Sequence, residues 1–149
     1  MRNHHKLLLL QIFRLNLFLS PNLANAAAIL YSHMPDINWV GFYIYKENQL
    51  VLGPFQGKAA VVRIALDKGV CGRAFSENTV MNVPDVHSFP GHIACDVNSR
   101  SELVLPIRLS GRPAAVLDID SPIRDRFTKT DTAGLMEIVA HLEMLWANK

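Results

Sequence analysis

The run Ala114-Ala115-Val116-Leu117-Asp118-Ile119-Asp120 constrains this chain more than any other. It opens on core material, so it reads as a buried strand, yet it carries two carboxylates two positions apart. Side chains at i and i+2 of a strand share a face. Like charges side by side repel, so one of the pair should hold its proton above the usual range. Such a pair is costly unless it faces a cation or moves a proton. The strand therefore belongs to a sheet with an apolar start and an acidic end at an opening. For either acid alone, a solvated strand end or a helix cap is the plainer account. The pair together argues for a site.

The remaining composition allows such a sheet. The chain has 149 residues, half of them hydrophobic and 19% charged, which suits one globular domain with a real core. Net charge is +2 without a basic run, so neither nucleic acid nor a membrane is expected as a partner. Two cysteines and no CxxC exclude a disulfide framework and give no zinc motif. Free thiols suit a reducing, cytoplasmic setting.

Residues 1–21 stand apart from a domain expected over 22–149. A basic start, Leu7 to Leu10 and Ala24-Asn25-Ala26 imitate a signal peptide, but Gln11, Arg14 and Asn16 interrupt the apolar stretch. Leu8, Ile12, Leu15 and Leu19 recur at helical spacing, which reads as an atypical amphipathic helix.

The expected order of elements follows from periodicity and breakers. A helix runs from Leu23 to His33, with Pro21 at its first position. Trp39–Tyr45 is a strand, Lys46 to Gln49 a hairpin turn, and Leu50–Leu52 a strand broken by Gly53-Pro54. Ala59–Leu66 is a third strand, Cys71–Phe75 a short helix and Val80–Val83 a brief strand. Leu103–Leu109 and Ala114–Ile119 flank the turn Ser110-Gly111-Arg112-Pro113. Thr128 to Asp131 fits a capping-box variant, and Leu135, Ile138, Val139, Leu142 and Leu145 line one face of a closing helix. This is an α+β domain, a mainly antiparallel sheet with helices on one face.

Between Pro84 and Ser101 lies a long loop with little periodicity, holding His87, His92, Cys95 and Asp96. Loops of this length in compact domains are usually functional or disordered, and Phe89, Ile93 and Ala94 argue for order. Cys95 is the candidate nucleophile, because a nearby imidazolium from His92 or His87 would favour its thiolate. Either histidine could equally be a loop residue bonded to backbone. Cys71, between Gly69-Val70 and Gly72, is either a reactive thiol at a helix start or a small buried hydrophobe. Glu102 joins Asp118 and Asp120 as a third acid. Trp39 and Tyr43, four apart in a strand, face one way as core or as an aromatic pocket wall. Such a wall facing acids suits a ligand with an apolar part and an ammonium group, a description that covers a free amino acid. The donor types would also suit zinc or iron, but their spacing matches no tight metal motif, and no metal is expected.

Several ordered blocks resemble the free methionine-(R)-sulfoxide reductases, which are GAF-domain enzymes. They are Asn38-Trp39-Val40-Gly41-Phe42-Tyr43, Leu50 through Lys58, Gly69-Val70-Cys71-Gly72, Asp85-Val86-His87, Gly91 through Asp96, Ser101 through Pro106, and Val116 through Ser121. The resemblance runs from about Asn22 to Leu145. It implies a six-stranded antiparallel sheet with helices on one face and a ligand pocket on the other. It implies reduction of the free amino acid sulfoxide by Cys95, with Glu102, Asp118 and Asp120 as the pocket acids and Trp39 and Tyr43 around the S-methyl group. It further implies a sulfenic acid, a disulfide and recycling by thioredoxin, no bound cofactor, and compatibility with a homodimer.

One departure limits this expectation. The family commonly has a resolving cysteine two residues before the arginine matching Arg63, and here that position is Val61. Cys71 or a small-molecule thiol would have to resolve in its place. The alternative is a GAF binding module with impaired or lost turnover. Ala115, where the family usually has glycine, is a smaller departure.

Overall fold

The computed structural model describes residues 19–94 and 96–148. The signal-like segment before Leu19 and Cys95 itself lie outside the described residues.

Helix α1 (Leu19–His33) leads into β1 (Trp39–Lys46), β2 (Gln49–Gly57) and the short β3 (Arg63–Ala65). Helix α2 (Gly69–Glu77), β4 (Met81–Val83) and a 3-10 turn (Val86–Ser88) follow. Strands β5 (Ser101–Leu109) and β6 (Arg112–Ser121) precede α3 (Lys129–Ala147). The sheet is antiparallel throughout, in the order β3-β2-β1-β6-β5-β4. Alternation along the central strands separates two cores. Val40, Phe42, Leu103, Leu105, Leu117 and Ile119 pack against α1 and α3. Trp39, Tyr43, Val104 and Val116 point the other way and pack with α2. Two helices thus cover one face as expected, and the short α2 lies on the opposite face, where it forms a wall of the site. No described helix is long and apolar enough to cross a membrane.

Several elements differ from their sequence expectation, each for a local reason. Strand β2 does not stop at Gly53-Pro54. Gly41 pairs with Phe55 and Tyr43 with Leu52, so Gly53 and Pro54 together face Phe42 in a bulge. A bulge tolerates proline because the ladder bond it cannot donate is already missing there. The expected strand from Ala59 shrinks to Arg63–Ala65, because the chain before it crosses to the edge of the site. Helix α1 is already formed at Leu19, so Pro21 lies within it rather than opening it. The β5–β6 turn is tighter than expected. Ser110 and Gly111 both have positive φ, the two-residue geometry that matches strand twist, and Pro113 is already paired with Arg108. At α3 the capping box forms. Thr128 Oγ1 accepts from the Asp131 N–H at 3.1 Å, and Asp131 Oδ2 accepts from the Thr128 N–H at 2.8 Å.

Candidate functional site

Strand register assembles the site. Trp39 pairs with Asp120, Asp120 with Glu102 and Glu102 with Val83. In the next row Phe55 pairs with Gly41, Gly41 with Asp118 and Asp118 with Val104. Direct cross-strand partners share a face, so three acids from β5 and β6 stand beside the aromatic residues of β1 and β2.

The acids are deeply buried. Glu102, Asp118 and Asp120 are each no more than 2% exposed. The acidic strand end therefore does not lie open to water, as the sequence led us to expect; the loop and α2 cover it. Burial raises all three carboxyls well above their usual range, and their mutual repulsion adds to it. Glu102 is pushed further by Asp120, Asp118 by Glu102, and Asp120 by Asp118 and then Asp96. Asp96 goes the other way. The backbone N–H of Asn98, 2.9 Å from its Oδ1, holds its carboxyl below the usual range, and Lys58 at 3.3 Å helps. An ionised Asp96 beside Asp120 favours the protonated form of Asp120. Environments that push neighbouring acids apart in this way mark acid and base roles.

Asp118 Oδ1 and Asp120 Oδ2 are buried and have no hydrogen-bond partner among the described residues. Buried acceptors left this way are costly unless a ligand completes them.

His92 meets Glu102, with Nε2 3.0 Å from Oε2. Burial lowers the His92 pKa while it raises that of Glu102, so the pair is a hydrogen bond between neutral groups rather than an ion pair. Burial thus disfavours the imidazolium form of His92, while the placing of either histidine against Cys95 falls outside the described residues. His87 has a different partner. Its side chain is largely exposed and bonds Asp85 at 3.3 Å, and it lines a cavity of about 580 Å³ with Asn38, Lys58, Asp96 and Arg100.

Cys71 lies in the first turn of α2, buried and not disulfide-bonded. Its Sγ and carboxylate oxygens of Asp118 and Glu102 lie within 4.8 Å of one another. The flanking glycines serve packing. Gly69 has φ +63°, and Ile93 of the loop fills the space beside it, while a Cβ on Gly72 would come within 2.7 Å of the Ala65 carbonyl. Packing of Ile93 ties the loop to α2, and Arg73 reaches over the Phe89 ring at 5.4 Å.

Trp39 and Tyr43 form a buried aromatic stack with Phe55. Ring centroids lie 6.1 Å apart for Trp39–Tyr43 and 5.4 Å for Trp39–Phe55. Their polar atoms hold the chain after β2, since Trp39 Nε1–H donates to the Lys58 carbonyl at 3.0 Å and the Tyr43 hydroxyl to the Val61 carbonyl at 2.8 Å. The indole lies over Gly41, where a Cβ would come within 2.6 Å of the ring.

Sequence reasoning missed the parts played by Asp96, Lys58 and Asn38. Only the Asp96–Asn98 spacing, typical of an Asx turn, hinted at the first. Two sets of ligating atoms, from Cys71, Glu102 and Asp118 and from His92, Glu102 and Asp120, each lie within 4.8 Å of one another and could hold a divalent cation. The same buried acids suit an ammonium group.

Comparison with known proteins places this arrangement. The GAF domain family matches residues 17–145. The free methionine-R-sulfoxide reductase of Escherichia coli is 53% identical over 125 residues, covering 84% of this chain and 76% of that protein. The structure of fRMsr of Staphylococcus aureus in complex with substrate superposes with a TM-score of 0.86 at 46% identity, covering 95% of this chain and 94% of that one. The free methionine-R-sulfoxide reductase of Neisseria meningitidis in complex with its substrate gives 0.88 at 40% identity, over 95% and 87%. With this identity along most of its length, the chain belongs to the free methionine-R-sulfoxide reductase family of GAF-domain proteins.

Proposed function

We propose that this protein reduces free L-methionine-(R)-sulfoxide to L-methionine with Cys95 as nucleophile. The observation that carries the reading is the pair of unpartnered oxygens, Asp118 Oδ1 and Asp120 Oδ2, buried beside the aromatic stack. An ammonium group completes the oxygens, and Trp39 with Tyr43 offers an apolar surface to an S-methyl group. The same pairing of groups occurs in methionine sulfoxide. Substrate complexes of relatives at 46% and 40% identity support it.

In this reading the Cys95 thiolate attacks the sulfoxide sulfur, and a buried carboxyl protonates the oxygen. Glu102 and Asp120 hold protons that exposed acids would have lost, which suits them to donate. Methionine leaves, and Cys95 becomes a sulfenic acid. Cys71 condenses with it to a disulfide and water, and thioredoxin reduces the disulfide.

NADPH consumption with thioredoxin and its reductase tests the reading on free methionine-(R)-sulfoxide. Wild type should turn over, and Cys95→Ser should release no methionine. Full activity of Cys95→Ser would refute its role. A second reading rests on Val61, which stands where the family's strand cysteine is expected. If methionine is released once per protein and turnover then stalls, the chain is a GAF module with impaired recycling.

A further inference from the structure

Four titratable side chains in the site form a continuous line. Cys71 lies beside Asp118, and Asp118 beside Glu102. Glu102 in turn meets His92 at 3.0 Å. The first three are buried, while His92 keeps 14% of its side chain exposed, so the line runs from the interior to the solvent margin. Ligating atoms of Cys71, Glu102 and Asp118 all lie within 4.8 Å of one another, so no side chain need travel far to pass a proton. Asp120, within 4.8 Å of both His92 and Glu102, and Asp96 beyond it are the other ionisable groups facing the line among the described residues.

The reductase reading, on which this inference rests, requires protons at defined moments. In the first step the sulfoxide S–O bond breaks, the oxygen passes to the Cys95 sulfur, and methionine sulfur gains two electrons. One proton comes from the acids. In the second step the Cys71 sulfur bonds to the Cys95 sulfur, the S–OH bond breaks and hydroxide leaves as water. The Cys71 proton returns to the acids, and the departing hydroxide draws one from them. In sum, one thiolate, one thiol, one sulfoxide and one proton give a disulfide, methionine and water. The first step therefore leaves the buried acids one proton short, and the second does not change that, so solvent must return the proton before the next turnover.

We propose that Cys71, Asp118, Glu102 and His92 act as one proton chain, with His92 as the positioning residue that orients Glu102 and links it to solvent. The first step draws on a proton already loaded. The next turnover needs the proton that arrives through His92.

First-turnover methionine release by rapid quench, Cys71 thiol loss, and steady-state turnover with excess dithiothreitol test this in wild type, His92→Gln and His92→Ala. In His92→Gln, steady-state turnover should fall about tenfold or more beyond any fall in first-turnover methionine release. Added imidazole should restore steady-state turnover in His92→Ala. Unchanged steady-state turnover in His92→Gln, a fall no larger than that of the first turnover, or no rescue by imidazole would overturn the proposal. So would wild-type protein that releases methionine without consuming the Cys71 thiol. Wild-type protein that releases no methionine would instead remove the reductase reading and this inference together.

Discussion

Glu102 and Asp120 face each other directly across β5 and β6, two buried carboxyls in one cross-strand pair. Folding raises both pKa values, so the native state keeps protons that the unfolded chain releases above about pH 4. Where the native state binds more protons than the unfolded, stability falls as pH rises. Denaturant titrations should therefore show wild type losing stability from about pH 5 upward. Asp120→Asn should flatten that slope and be the more stable protein at pH 8. An unchanged slope would mean that Asp120 is not held protonated. The same substitution should weaken methionine binding, measured by calorimetry, because it removes a carboxyl that can ionise when the ammonium arrives.

Gly41 lets the indole of Trp39 lie flat on the sheet. A Cβ there would sit 2.4 Å from the Phe55 Cβ and 2.6 Å from the Trp39 ring. Gly41→Ala should cost about 1–3 kcal/mol of stability, the usual range for overpacking. It should also shift Trp39 fluorescence and raise KM for the sulfoxide. Wild-type stability and KM would mean that the ring is free to move.

Val61 is 40% exposed, and its carbonyl is fixed by the Tyr43 hydroxyl. The backbone at this position is therefore held while the side chain is free to change. Val61→Cys should raise steady-state turnover with thioredoxin at least several-fold and leave first-turnover methionine release unchanged. If turnover does not rise, Cys71 or an external thiol already resolves the sulfenic acid at full speed.

Thr128 caps α3 through its capping box, on the far side of the sheet from the acids. Thr128→Ala should lower stability by about 1 kcal/mol, as loss of a cap does, with kcat and KM unchanged. A change in KM would show that α3 communicates with the site.

Much of the fold was legible because its signals are local. Period-two alternation in β5 and β6, the Glu47-Asn48 turn with both φ values positive, and the Thr128–Asp131 cap all depend on neighbouring residues. The continuation of β2 through Gly53-Pro54 was not legible. A proline reads as a break unless the partner strand supplies a bulge, and Phe42 is distant in sequence from Pro54. His92 shows the same limit within the site. Three residues from Cys95, it read as a candidate charged helper for the thiol or a loop residue bonded to backbone, and tertiary packing half-buries it against Glu102, which disfavours its charged form.

The sequence by itself determined that Asp118 and Asp120 share one face of a strand, because that follows from the strand's period of two. It also determined which thiols the chain has and that position 61 carries none. Only the tertiary structure decided that Glu102 stands directly opposite Asp120, since strand register sets that pairing and register depends on the whole sheet. It alone decided that all three carboxyls are raised, where the strand pattern called for one of a pair. Their pKa values respond to burial by α2 and the loop, and to one another's charge, and neither is encoded within the strand that carries them.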